Sequence, residues 1–433
     1  MNSIFIPLRE TPRALARGSE RRAFRFGRAS PEALQAARGI PLPTKRGEKI
    51  PRPWGRGSFI FLFLAVFPLG QIIRIGILQP IDVIVGMAAI YSLVKRLPRP
   101  IIFKYLENFL FIAAASWIFS LFLFPQVEVA YGVLYLFRLA AYFYFLIYVW
   151  NFANAKKGNR KLLISSLLIV SVTSAFFGWI QFVWVPSLKP FLVWGWDEHL
   201  FRLVGTFLDP TYLGLIIVFG LLISMARFTE TLKKQYLFIV MFLLISLAFT
   251  YSRASYLAFL AGAVFTGIYK RKLKIVAFGI LTLLVLVLLL PTSASPVLRL
   301  TRSFSAVGRI ENYKDAFQIF SKSPVIGIGY DNLCLAYQKY IGIRSLSSHA
   351  CSGSDSSILF ILATTGIAGF LVFVFSVIQI SNFLQAGDKV QVLTSTFASL
   401  LIHSLFANSM FYPWIMGWMM ILLGISLGRK AES

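Results

Sequence analysis

From residue 58 onward the chain alternates long apolar runs with short polar breaks. Twelve apolar windows can be drawn, at about 58–73, 80–94, 105–124, 130–150, 162–184, 211–226, 235–250, 254–269, 275–291, 355–381, 391–410 and 413–428. A perpendicular helix needs ~20 apolar residues to cross a bilayer, so the shorter windows have approximate ends. The pattern predicts an all-α polytopic membrane protein with about twelve transmembrane helices over residues 58–428, preceded by a tail (1–57) and followed by a short end (429–433).

Orientation follows from the basic residues, because Lys and Arg collect on the cytoplasmic side. With the N-terminus inside, inner segments hold 31 of the 43 Lys/Arg and outer loops hold 11, with Arg138 alone inside a span. Both termini are then cytoplasmic, and two large outer loops emerge, 185–210 and 292–354. The second is far longer than a connection requires, which marks it as functional. Within it, Arg309 to Ser321 sets Ile310, Tyr313, Phe317 and Phe320 on one face of a helix ended by Pro324 and the Gly327-Ile328-Gly329 turn. That helix is expected at the outer membrane boundary or as a cap on the bundle. A packed loop helix without a catalytic part fits the same pattern.

Composition sharpens this picture. The chain is 57% hydrophobic and only 14% charged, with a mean hydropathy of +0.73. A soluble domain carries about a quarter charged residues, so a soluble enzyme and a disordered scaffold are excluded. The net charge of +26 suggests nucleic acid until its placement is considered. Residues 1–57 hold thirteen Lys/Arg against four Glu, the signature of a disordered cytoplasmic tail near anionic lipid rather than of a signal peptide. Membrane lipid is therefore an expected partner and nucleic acid is not. Cys334 and Cys351, the only cysteines, give no zinc pattern, but both fall in the long outer loop, where a disulfide is one outcome and two thiols the other.

Charged residues at the membrane are costly and point to function. Arg138 lies about two turns, roughly 12 Å, below the outer end of its span by helix rise. Its guanidinium either serves an anion, snorkels outward, or pairs with Glu128. Three further segments start helices at the outer face. Asp209 is a good N-cap with Pro210 in the first turn, Ser252 can cap a helix presenting Arg253, and Ser354 or Asp355 can cap the tenth span. Their N-termini, with Arg202 and Arg253, form a plausible phosphate or diphosphate cradle. The alternative is that each arginine simply marks a helix end at headgroup level. Proton acceptors are few: His199 sits beside Asp197-Glu198, His403 lies inside a span as a packing residue, and His349 precedes the tenth span. His349 suits a hydroxyl proton, and Asp355 could serve if desolvation raised its pKa. Asp197-Glu198 aside, no outer acidic pair stands out as a metal site, and no metal or cofactor is expected.

Four stretches then carry a family resemblance: FRLVGTFLDPTYLG, TYSRASYLAFLAG, GRIENYKDAFQIFSKSPVIGIGYDNL and DSSILFILATTGIAG, all within about residues 200–380. In their order and spacing around a long outer loop, they resemble the O-antigen ligase and O-antigen polymerase superfamily of bacterial envelope glycosyltransferases. The resemblance implies a bundle of about a dozen helices, related to C-type glycosyltransferases, in the bacterial cytoplasmic membrane with its active face outward. It implies an undecaprenyl-diphosphate-linked glycan donor and a hydroxyl acceptor on glycan, lipid or protein, without nucleotide sugar or metal. Diphosphate binding maps to Arg202 and Arg253, with Arg138 and Arg309 as further candidates. An outer-loop histidine is the implied acceptor base. Where the family carries His-Asn ahead of Gly-x-x-Gly, alignment on Gly366 and Gly369 places Asp355-Ser356 here, with His349 six residues earlier. That departure points toward a polymerase-like or divergent member. A transporter or flippase of lipid-linked glycan or another solute is the competing class. It predicts internal repeats, broken helices and midplane charges, whereas the candidate polar residues here gather at the outer face.

Overall fold

The computed structural model describes residues 57–74, 78–156, 158–271, 273–290, 296–342, 353–384 and 388–428. The tail over 1–56, His349, Cys351 and residues 429–433 lie outside the described residues. Among the described residues there are fourteen α-helices: α1 (Ser58–Val66), α2 (Pro80–Val94), α3 (Phe103–Ser120), α4 (Gln126–Ala155), α5 (Asn159–Trp184), α6 (Pro210–Thr231), α7 (Lys234–Phe249), α8 (Arg253–Lys270), α9 (Leu273–Leu289), α10 (Pro296–Lys322), α11 (Leu333–Tyr340), α12 (Ser357–Phe383), α13 (Asp388–His403) and α14 (Pro413–Ser426). Each of the twelve apolar windows falls on one helix, and α10 and α11 occupy the long loop. Four of them, α4, α5, α6 and α12, are long and apolar enough to cross a membrane, and shorter apolar helices stand among them. Helices are what such a chain must form, because hydrocarbon offers no partner to an open backbone N–H or C=O.

The centre of the bundle is α6, in which every residue from Leu213 to Ala226 is buried. It packs against α5, α7, α8 and α13. The pair α8 and α13 approaches closely through small residues. Ser399 Oγ donates to the Ala258 carbonyl at 2.7 Å, Thr266 Oγ1 donates to Ser395 Oγ at 2.9 Å, and a Cβ on Gly262 would stand 2.9 Å from the Ser395 carbonyl oxygen. Small and hydroxyl side chains are how membrane helices gain contact without a hydrophobic driving force. This contact brings the start of α8 beside the end of α13.

The loop helix differs from expectation. It runs from Pro296 rather than starting at Arg309, since the intervening residues hold good helix formers and Gly308 costs too little to stop it. Asn312, Ala316 and Ile319 are buried against α12, while Ile310 and Phe317 are exposed. The polar amide of Asn312 faces inward because its hydrogen bonds are used there.

The helix α12 is broken at Gly366 (φ 67, ψ −170). An unbroken helix would pair the Ile367 N–H with the Ala363 carbonyl and the Ala368 N–H with the Thr364 carbonyl. Instead, Ile367 N donates to Pro324 O at 2.8 Å and Ala368 N to Val325 O at 3.1 Å. The released carbonyls of Ala363 and Thr364 accept from Ile328 N at 3.0 Å and Gly329 N at 3.1 Å. Thus the segment 324–329 enters the bundle and completes the helix that it interrupts. Gly327 (φ 78) has no room for a side chain, since a Cβ there would lie 2.5 Å from Thr365 N.

Candidate functional site

Three helix starts meet at one end of the bundle. At α6, Asp209 is the N-cap, its carboxylate accepting from Thr211 N at 2.6 Å and Tyr212 N at 3.4 Å, with Pro210 as the first helical residue. At α8, Ser252 Oγ accepts from Ser255 N at 3.3 Å. At α12 the cap is Ser356, which accepts from Leu359 N at 3.4 Å, and not Ser354 or Asp355 as the sequence suggested. The helix begins one residue later than expected because Ser356 takes the extended backbone that a cap needs (φ −145, ψ 127).

The joint between these starts is His403, at the end of α13 and fully buried. Its Nδ1 lies 2.6 Å from Ser409 Oγ, and its Nε2 lies 3.2 Å from the Thr211 carbonyl and 3.4 Å from Ser255 Oγ. Because a carbonyl only accepts, Nε2 carries the proton and Nδ1 accepts from the Ser409 hydroxyl. One imidazole therefore ties α6, α8 and the α13–α14 turn together. That turn also holds α12, through Ser357 N donating to Ser404 O at 2.9 Å and Met410 N donating to Ser357 Oγ at 3.1 Å.

Asp355, relieved of capping, donates its backbone N–H to Asn312 Oδ1 at 2.8 Å, and Ser354 Oγ reaches the same oxygen at 3.2 Å. Asn312 in turn donates to Tyr337 OH at 3.2 Å. Burial pushes the Asp355 carboxyl above the usual carboxylate range, opposed by the Arg309 guanidinium and reinforced by Asp197 and Asp209. These three groups therefore share one electrostatic neighbourhood with Asp355. His199 belongs to it too: burial lowers its basicity, Asp209 and Asp197 raise it, and Arg202 lowers it.

The arginines differ in their attachments. Arg202 donates through Nε to Thr250 O at 3.0 Å and through Nη2 to Tyr251 O at 3.2 Å, closing the end of α7. Arg253, two residues beyond Tyr251 and first in α8, is exposed. Arg309 is half-buried on α10, close enough to Asp355 and His403 to act on both. Arg138 stands apart, in a 2.8 Å ion pair with Asp82 and over the Tyr135 ring at 5.0 Å. Asp82, which also accepts from Tyr142 OH at 3.2 Å, was missed in the sequence, although a lone acid in an apolar window is a signal. Asp331 was missed as well: it follows the glycine turn with φ 60, and burial pushes its carboxyl well above the usual range despite the nearby Arg138. Cys334 lies on α11, while His349 and Cys351 lie outside the described residues. Among the described residues no three of His, Cys, Asp or Glu gather as a metal site.

Chemically, helix N-termini carry partial positive charge, and arginines beside them suit an anion with several oxygens. A carboxyl raised by burial, as at Asp355, can exchange a proton. None of the curated proteins compared matches this chain. A family model described as O-antigen ligase (Wzy_C) matches residues 238–374, from within α7 to within α12, and so takes in Arg253, Arg309, Asp355 and the break at Gly366. Over this segment, about a third of the chain, the sequence is similar to the O-antigen ligase family.

Proposed function

We propose that the protein transfers glycan from an undecaprenyl-diphosphate carrier to an acceptor hydroxyl at the outer face of the bacterial cytoplasmic membrane. In this reading twelve helices span the bilayer, both termini are cytoplasmic, and the three joined helix starts face outward. The acceptor oxygen attacks the anomeric carbon as the bond from that carbon to the diphosphate oxygen breaks. The diphosphate leaves as an anion held by Arg202 and Arg253, with Arg309 beside it. The acceptor's proton passes to Asp355 or to His349. Arg138, already paired with Asp82, is the weaker candidate for the diphosphate, because displacing a buried partner leaves a charge uncompensated.

The observation that carries the reading is the family match containing Asp355 beside Arg309, on a chain whose neighbouring helix starts are bound to one another. The carrier alternative draws no support from the break in α12, since the chain's own backbone fills it. The test is to supply purified protein with lipid-linked oligosaccharide and analyse the products. Longer lipid-linked chains indicate a polymerase, and glycan on lipid or protein indicates a ligase. Unchanged donor that has only crossed the membrane would overturn the reading.

A further inference from the structure

The turn that closes the break in α12 leads directly to a second acid, Asp331, which the transfer chemistry does not use. Its backbone is fixed from several sides. Ile328 and Gly329 are bonded into α12, Asn332 N donates to Gly329 O at 3.2 Å, and Asn332 Nδ2 donates to Ser120 Oγ at the end of α3 at 2.8 Å. A Cβ on Gly132 would stand 2.6 Å from Asn332 Oδ1, so α4 presses on the same residue. Within this frame Asp331 is held at φ 60, a left-handed conformation unfavourable for a residue with a side chain. Among the described residues its carboxyl has no hydrogen-bond partner, and burial pushes it well above the usual carboxylate range. A strained, desolvated acid without a partner is an exception that a ligand explains.

Its surroundings indicate which kind of ligand. Tyr135 lies within electrostatic reach of Asp331, Asp82, Arg138 and Arg74, two acids against two arginines. These charges balance, so the neighbourhood has no excess to hold a free cation or anion. Arg138 is moreover engaged, by its 2.8 Å ion pair with Asp82 and by the Tyr135 ring beneath it. What remains is a carboxyl beside aromatic rings that carry hydroxyls, Tyr135 and Tyr330. A sugar has the matching chemistry, with hydroxyls around its rim and C–H groups on its faces.

Aromatic residues also link this neighbourhood to the joined helix starts. Tyr142, bonded to Asp82, is within reach of Tyr412. Tyr412 accepts from Gln71 Nε2 at 2.9 Å and stacks on Tyr212 with ring centroids 3.9 Å apart. Tyr212 is in turn within reach of Asp209 and Asp355. The row therefore leads from Asp355 to the neighbourhood of Asp331.

We propose that Asp331 and Tyr135 form a saccharide subsite, in which the Asp331 carboxyl accepts from hydroxyls of a donor-glycan sugar beyond the one that leaves the diphosphate. The subsite rests on the glycan-transfer reading and deepens it: Asp331 selects the glycan, whereas Asp355 serves the reacting bond.

The test uses the purified full chain with two probes, undecaprenyl diphosphate alone and the same carrier bearing an oligosaccharide. Asp331→Gly is the informative variant, because glycine adopts φ 60 freely and only the carboxyl is lost. Its melting temperature should equal or exceed the parent's. Its dissociation constant for the glycan-bearing carrier should rise about tenfold, the loss of one hydrogen bond to a charged group. For the bare carrier it should not change. In turnover, KM for the donor should rise by the same factor while kcat holds. Should Asp331→Gly melt below the parent, Asp331→Asn, which preserves the shape, carries the same comparison with a smaller loss. Parental affinity for the glycan-bearing carrier in the variant, or equal weakening for both probes, would overturn the subsite. A parent that transfers no glycan would overturn the glycan-transfer reading, while the binding comparison still decides the subsite.

Discussion

Gly366 and Gly327 meet face to face across the break in α12: a Cβ on Gly366 would stand 2.7 Å from the Gly327 amide nitrogen. Both residues have positive φ, so a side chain at either is excluded by space and by backbone. Gly366→Ala and Gly327→Ala should each lower stability by about 1–3 kcal/mol from overpacking, with roughly 1–2 kcal/mol more from the left-handed backbone. Gly308→Ala provides the control, because nothing lies within 4 Å of its Cβ position. It should be neutral or stabilising by up to about 1 kcal/mol. Thermal melts of the purified variants decide, and a Gly366→Ala protein as stable as the parent would contradict the packing account.

Arg202 and Arg253 should separate by mutation. Arg202 closes the end of α7 with two carbonyl hydrogen bonds, so Arg202→Ala should lose transfer and also lower the melting temperature. Hydrogen bonds from a charged donor contribute about 1.5–3 kcal/mol each, net of exchange with water. Arg253 is exposed at a helix start, and Arg253→Ala should lose transfer with the fold intact. Lysine should rescue either site poorly, because it lacks the planar fork that grips two oxygens. Full transfer by both alanine variants would remove the diphosphate cradle.

For Asp355, the structure sharpens what mutation should reveal. Because Ser356 is the cap, Ser356→Ala should cost about 0.5–2 kcal/mol of stability and leave turnover per folded molecule largely intact. Asp355→Asn should do the reverse, losing on the order of 10²–10⁴ in rate if the carboxylate is the base. Burial raises this carboxyl, so its charged form opposes folding. The stability linked to its neutral form is present at low pH and lost as pH rises through the raised pKa. Asp355→Asn should therefore be at least as stable as the parent at neutral pH. Transfer should rise with pH along a limb above the ordinary carboxylate range. Arg309→Ala should move that limb further up, since Arg309 is the group that favours the charged form. His349→Ala is the companion variant: near-parental rates in both variants would exclude either residue as the base.

His403 should behave as a positioning residue. His403→Ala removes the imidazole from the Thr211 carbonyl and from the Ser409 hydroxyl. The Thr211 carbonyl keeps the Ser255 hydroxyl at 3.1 Å, so the cost, about 1–3 kcal/mol for an unsatisfied buried group, falls on Ser409. The turnover lost should exceed that explained by the fraction unfolded, because the starts of α6 and α8 lose their common anchor. Ser409→Ala should give a smaller loss in the same direction, and unchanged turnover in both would refute the role.

Cys334 and Cys351 are proposed to form a disulfide on the outer side, closing a loop of about 18 residues for roughly 3 kcal/mol in the chain-entropy model. Intact mass under non-reducing conditions checks the pair. Thiol labelling of both residues from the cytoplasmic side alone would overturn the orientation.

How much was legible depended on range. Periodicity found the helices because a membrane forces each apolar run to satisfy its own backbone. Caps were read well where the local residues leave one choice, as at Asp209-Pro210, and misread among Ser354, Asp355 and Ser356, where three adjacent side chains could all serve. The turn of Gly327 and Gly329 was visible as glycine, but its insertion into α12 was not, because the partner lies about forty residues away in sequence. Distance also hid the ion pair of Arg138: Glu128 is its near neighbour, yet Asp82 on another helix reaches it. The joint at His403 likewise draws on residues from three separate windows. Arg309 had no local mark of function, since its significance comes from facing Asp355 across two elements.

The break in α12 imposes an order on biogenesis. Residues 324–329 are synthesised before α12, yet their hydrogen-bond partners are Ala363, Thr364, Ile367 and Ala368. A ribosome that has just delivered the loop has therefore produced a segment with nothing to dock on. A helix inserted next carries open backbone groups at its middle until the loop folds back. Until then the amides of Ile367 and Ala368 and the carbonyls of Ala363 and Thr364 lack the partners that close the break, so docking of the loop is the last step that completes α12.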